Sequence, residues 1–164
     1  QNGRFIVQGD ADTRACIRLS GADVIFGGEV TTPLRDELGG MAARANLKGY
    51  ACEYMTSGRV LVLGDPGPWL CAGMSGGVLY QRIQPEMNLD EQAIRRRLAK
   101  GATADLFELD ETGIDDVRDL LGYYIGTLEQ NNQSDEVAHL YPLMHHPERH
   151  FVMLAPPSRY KRVV

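Results

Sequence analysis

This 164-residue sequence has no apolar run long enough to span a bilayer, and no signal-peptide pattern opens it. It also has no excess of basic residues. Lys and Arg total 17 against 22 Asp and Glu, a formal charge of -5, which argues against a broad electrostatic grip on nucleic acid or anionic lipid. Cysteine is scarce: three residues, an odd number, none at metal-binding spacing. That suits a reducing cytoplasm better than a disulfide framework, so a cytoplasmic location is expected. An initiator methionine is absent too. The sequence starts at Gln1, and the expectation is a processed or excised piece whose partner surface is missing. Hydrophobic residues at 43% and charged residues at 24% exclude a disordered chain and fit one domain with a real core.

What the sequence does contain is an echo. Cys52-Glu53-Tyr54-Met55-Thr56-Ser57-Gly58 is answered by Cys71-Ala72-Gly73-Met74-Ser75-Gly76-Gly77, and each phrase runs into an apolar stretch, Val60 to Leu63 and Val78 to Tyr80. A third copy, Cys16-Ile17-Arg18-Leu19-Ser20-Gly21, leads into Val24-Ile25-Phe26. A Gly-Asp pair precedes two of the cysteines at one distance, Gly9-Asp10 and Gly64-Asp65. The cysteines are 36 and 19 residues apart, two units and one unit of a short repeat. Such a unit holds only brief strands and turns, so stacked parallel units forming a β-solenoid are expected, with Val24, Val60 and Leu79 on one inward ladder. Gly21, Gly58, Gly64, Gly76 and Gly77 are assigned to its turns or close backbone approaches. Gly27 to Tyr50 fits the repeat poorly and is read as a diverged unit with an insertion and a helical turn.

Beyond Gln84 the periodicity changes. Asn88 or Asp90 caps an expected helix through Lys100, with Gly101 as its stop. Phe107 to Leu109 is a short strand. Ile114, Val117, Leu120, Leu121, Tyr124, Ile125 and Leu128 mark one face of a helix after Thr112. A further helix is predicted over Asp135 to Met144, an extended segment over Phe151 to Leu154, and a basic, poorly structured end with Arg159, Lys161 and Arg162. The predicted organisation is solenoid units over 1–84 and a helical tail over 85–164 that packs on them and shields the last open strand edge.

The phrases "CEYMTSGRVLVLG" and "AGMSGGVLY", within Gly49 to Tyr80, resemble the GXGXG domain that ends the glutamate synthase large subunit. "ACIRLSGADVIFGG", Ala15 to Gly28, is similar to its preceding unit, and "FVMLAPPSRYKRVV" to its ending. The resemblance implies a mainly β fold, a right-handed single-stranded parallel β-helix, with no catalytic residue of its own. It also implies a structural role, bracing the amidotransferase and flavin synthase parts of an ammonia-assimilating enzyme. FMN and an iron–sulfur cluster would sit elsewhere in that enzyme, and this chain would bind no cofactor. Its partners would be other domains or subunits of the complex, with no nucleic acid and no membrane. The alternative is a stand-alone scaffold subunit of the N-methylglutamate synthase or formylmethanofuran dehydrogenase type.

Other residues invite a catalytic reading. His145, His146 and His150 lack a fixed ligand spacing and read as a surface turn. Gly73 to Gly77 lacks the following helix that a nucleophile elbow or phosphate loop needs. Asp115, Asp116 and Asp119 read as a solvated helix start, and Arg95 to Arg97 as an exposed helix face or protein contact. No catalytic, cofactor or metal residue is therefore assigned.

Overall fold

A computed structural model describes residues 3–157. Its strands are β1 (Arg4–Val7), β2 (Ser20–Phe26), β3 (Ser57–Val62), β4 (Val78–Arg82), β5 (Asp105–Glu108) and β6 (Phe151–Ala155). Helices are α1 (Met41–Arg44), α2 (Glu91–Arg97), α3 (Glu111–Gln130) and α4 (Pro142–His145). The six strands make one sheet in the order β1-β2-β3-β4-β6-β5. The first four run parallel, and β6 joins β4 and β5 antiparallel.

This corrects the expected right-handed parallel β-helix followed by a helical tail. The chain forms an open, mixed sheet with helices, and two of its six strands come from the segment read as helical tail. The physical reason lies in Phe151 to Ala155. It is apolar and fully buried, and it satisfies the open side of β4 by direct antiparallel pairing, Leu79 with Leu154 and Tyr80 with Met153. A strand, not a helix, covers that edge. The equivalence of the repeated phrases does appear in the strand register. Val24 pairs with Val60 and Val60 with Leu79, all three buried.

Both faces of the sheet are covered, so its central strands read as continuous apolar runs. Val24, Val60, Leu79 and Leu154 face a cluster that includes Cys52, Met55, Cys71 and Met74. Ile25, Leu61, Tyr80 and Met153 face Val117, Leu120, Leu121 and Leu128 of α3. Asp110 caps α3 by accepting from the Gly113 N–H at 2.6 Å, and Asp90 caps α2 through the Ala93 N–H at 2.9 Å. The helix expected over Asp135 to Met144 is broken into a 3-10 turn at Ser134–Glu136 and the short α4, which has Pro142 at its start. The basic end with Arg159, Lys161 and Arg162 lies outside the described residues.

Candidate functional site

The repeated cysteine phrases form three stacked rows of irregular backbone beside the sheet. In each row, alternate residues take the left-handed conformation. Arg14, Cys16 and Arg18 have φ of 61°, 61° and 56°; Tyr50, Cys52 and Tyr54 have 57°, 60° and 58°; Trp69, Cys71 and Gly73 have 57°, 61° and 68°. The other positive-φ residues that are not glycine, among those described, are Asn88 and Asn132, a residue type that enters this region readily. For Arg, Cys, Tyr and Trp the conformation costs about 1–2 kcal/mol each.

Hydrogen bonds between rows hold it in place. Arg14 N–H donates to Gly49 O at 2.8 Å, Cys52 N–H to Ala15 O at 2.8 Å, and Arg18 N–H to Glu53 O at 2.8 Å. One row further on, Tyr50 N–H donates to Pro68 O at 3.0 Å, Cys71 N–H to Ala51 O at 2.9 Å, and Tyr54 N–H to Ala72 O at 2.8 Å. The irregular backbone is thus paired as a strand would be.

Three side-chain columns result. The middle one is Cys16, Cys52 and Cys71, all free thiols, the last two buried. A hydrogen bond with Cys16 and burial push the Cys52 thiol well up, and burial raises Cys71 to about 12. Such thiols stay protonated and fill space; they are poor nucleophiles. The second column stacks Arg14 over the Tyr50 ring at 4.9 Å, and Tyr50 on Trp69 with centroids 4.9 Å apart. The third sets Arg18 6.0 Å above the Tyr54 ring, which covers Gly73. Sequence reading aligned the cysteines and missed the outer columns. Their signal was present two residues before and two after each cysteine: Arg, Tyr, Trp and Arg, Tyr, Gly.

Of the glycines assigned to turns, Gly21 and Gly58 lie at equivalent places in β2 and β3, and Gly77 directly precedes β4. Gly58 has φ 106°, and a methyl group there would stand 2.5 Å from Ala22 O. One at Gly76 would collide with Thr56 O, and one at Gly64 with Gly28 O and Asn46.

Trp69 is 49% exposed and borders a groove of about 640 Å³. Tyr50, Pro68 and Leu98 supply further apolar wall, while Arg96 and Lys100 also line it. No carboxylate does. In the same helix as Arg96, Arg97 is fully buried, which corrects the reading of Arg95 to Arg97 as an exposed face or protein contact; of the three, Arg95 and Arg96 alone are exposed. Its guanidinium is held by Asp65 (Nε to Oδ1, 2.7 Å), by Asp36 (Nη1 to Oδ2, 2.7 Å; Nη2 to Oδ1, 2.8 Å) and by Ala93 O at 2.9 Å. Hydrogen bonds from Arg97 and Arg96 lower the Asp36 pKa.

Asp116 and Asp119 are not simply solvated either. Both accept from Arg59, at 2.9 and 2.8 Å, and Asp116 also accepts from the Tyr80 hydroxyl. Arg59 binds Asp23 through two nitrogens at 2.9 and 2.7 Å, tying β2 and β3 to α3. Among the described residues, no group of three or more His, Cys, Asp and Glu side chains is placed to hold a metal ion. No helix among them is long and apolar enough to cross a membrane.

Comparison with known proteins places the chain among relatives of long glutamate synthases by short stretches of similarity. The chain is 42% identical over 67 residues to the ferredoxin-dependent glutamate synthase of Cyanidium caldarium, covering 38% of this chain and 4% of that protein. It is 35% identical over 79 residues to the glutamate synthase [NADPH] large chain of Bacillus subtilis, covering 48% of this chain and 4% of that one. It is 34% identical over 79 residues to the glutamate synthase [NADH] of Schizosaccharomyces pombe, covering 48% and 3%. The chain thus spans only a few hundredths of the length of these relatives. The GXGXG motif family matches residues 1–140, and the chain belongs to that family.

Proposed function

We propose that this chain is a non-catalytic structural domain of a glutamate synthase-type enzyme, bracing that enzyme's amidotransferase and flavin synthase parts in the cytoplasm. The observation that carries this is the short, specific overlap with very long glutamate synthases, 4% of the Bacillus subtilis large chain at 35% identity. The side-chain chemistry agrees with a bracing role. Arg59 and Arg97 are engaged by carboxylates of the same chain, and the buried thiols are held protonated. Rigidity fits a brace: three rows share backbone hydrogen bonds, and one sheet is packed on both faces.

Affinity purification from the native host tests it. Flavin synthase and amidotransferase sequences are expected with this chain, on one polypeptide or in stoichiometric complex. The chain alone should not form glutamate from glutamine and 2-oxoglutarate. Purification with methyltransferase or molybdenum-enzyme components instead would reject the reading.

A further inference from the structure

We propose that the groove beside Trp69 is a docking site for an acidic peptide segment carrying a bulky apolar anchor. This deepens the bracing role above by naming the chemistry of the partner that the face receives. Three observations point to it. The first is a large aromatic held out at a backbone cost: Trp69 is half exposed with φ 57°, and its ring is fixed against Tyr50 at 13° between planes. A rigid Trp loses little entropy on binding, and Trp, Tyr and Arg are the side chains that dominate binding hot spots.

The second is shape. The groove, about 640 Å³, is walled by Tyr50, Pro68, Trp69 and Leu98, so it can bury one or two apolar side chains. The third is charge. Its ionic lining is Arg96 and Lys100, in a chain of net charge -5. Among the described residues Lys100 has no ion-pair partner, whereas Arg96 is bound to Asp36 at 3.0 Å. An apolar floor with a cationic rim complements an acidic segment with Leu or Phe at its centre, and repels a basic one.

The sequence contains one tryptophan, so the groove reports on itself. The probe is the peptide Glu-Asp-Glu-Leu-Phe-Asp-Glu-Asp, followed by Trp69 emission and, with a fluorescein label, by anisotropy. Saturable binding with a shift of Trp69 emission, weakening with added salt, is expected. The counterpart with Lys at every acidic position, and the one with Ser for Leu and Phe, should not bind. Trp69→Gly should weaken binding about thirtyfold. Gly is suited to that backbone, as Gly73 shows in the same row, so the fold should persist. Lys100→Glu, on the surface, should weaken binding about fivefold without changing thermal stability.

No saturable shift, equal binding of the basic peptide, or full affinity in both variants overturns the proposal. So does a Trp69 shift with free FMN that the acidic peptide fails to compete, because the groove would then take a small planar anion. Peptide binding is read on the purified chain, whereas the bracing role is read from what co-purifies in the host, so either can fail alone.

Discussion

Tyr50 lies nearly parallel to Trp69, with ring centroids 4.9 Å apart and planes 13° apart, because the two residues occupy the same place in adjacent rows. Their backbones are both left-handed, so the side chains leave in one direction and stack. The same relation places Arg18 over Tyr54. Repetition of an uncommon backbone shape, more than any single contact, generates the exposed columns.

That shape makes Arg18 a position where glycine should be tolerated even though its contact with the Tyr54 ring is lost. Its φ is 56° and its side chain is exposed. Arg18→Gly relieves about 1–2 kcal/mol of strain, costs about 0.5–1 kcal/mol in chain entropy and gives up the exposed contact with the Tyr54 ring, about 0.5–1 kcal/mol, so its net effect should lie within about 0.5 kcal/mol of zero. Arg18→Val should lose at least about 1 kcal/mol, since a β-branched residue tolerates this region worst. Urea midpoints of the two variants check both expectations.

The buried Arg97 should be the least replaceable cation. Removing it by Arg97→Met leaves Asp65 without a hydrogen-bonding guanidinium in the interior, a loss of about 3–5 kcal/mol. Asp36, which shares that guanidinium, has a lowered folded pKa. Its contribution is therefore present above the unfolded value of 3.8 and is lost as pH falls through the folded value. Thermal melts from pH 6 downward should hold steady until about pH 4 and then decline. In Asp36→Asn that acid-side decline should be shallower. An unchanged decline would place the acid sensitivity elsewhere.

How much of this was legible from residues follows from what each relation depends on. The register of Val24, Val60 and Leu79 was legible because the cysteine phrases repeat it. Helix α3, twenty residues long, was legible because seven apolar residues recur on one face between Ile114 and Leu128. The way the sheet ends was not, because Phe151 to Ala155 announces a strand but not which neighbour it takes or in which direction. Arg97 sits in a run of three arginines, and its burial is decided by Asp65 and Asp36, far away in sequence. The groove was missed for a related reason. It lies where the third row meets the chain after α2, through the Leu70–Leu98 bridge, and no local pattern marks that meeting.

The cysteine column gives a redox and alkaline prediction. Three thiols should titrate under denaturing conditions without reductant, and in the native state Cys52 and Cys71 should resist thiol reagents at pH 8. Raised folded pKa values mean their contribution to stability is intact below the ordinary thiol value of 9.0 and is lost as pH rises toward the folded values, about 12 for Cys71. Cys71→Ala should cost little, whereas Cys71→Asp should prevent folding by burying a charge. A bridge between Cys52 and Cys71 in the denatured assay would contradict the column as purely packed thiols.

Strand β1 is an edge of the sheet, and its two sides should exchange differently. The Asp23 N–H donates to Gly3 O at 2.9 Å and the Gly27 N–H to Val7 O at 2.7 Å, so the residues facing β2 are Gly3, Phe5 and Val7. The alternate amides, Arg4 and Ile6, point away from the sheet. Hydrogen exchange on the monomeric chain should show Arg4 and Ile6 fast, with Phe5 and Val7 slower. Uniform strong protection from Arg4 to Val7 would mean that a further strand pairs with this edge.

Two glycine-to-alanine changes should move stability in opposite directions. Gly58, in β3, has φ 106°, and a methyl group there meets Ala22 O at 2.5 Å; neither the backbone shape nor the neighbouring strand can give way cheaply. Gly58→Ala should lose about 3 kcal/mol or more, through strain and separation of β2 from β3. Gly126, inside α3, has open space around the same position. Alanine there removes unfolded-state freedom at no steric cost and should gain about 0.5–1 kcal/mol. Thermal or urea unfolding of both variants against the parent chain reads the difference. Equal effects would show that β2 and β3 do not approach as closely at Gly58 as the register requires.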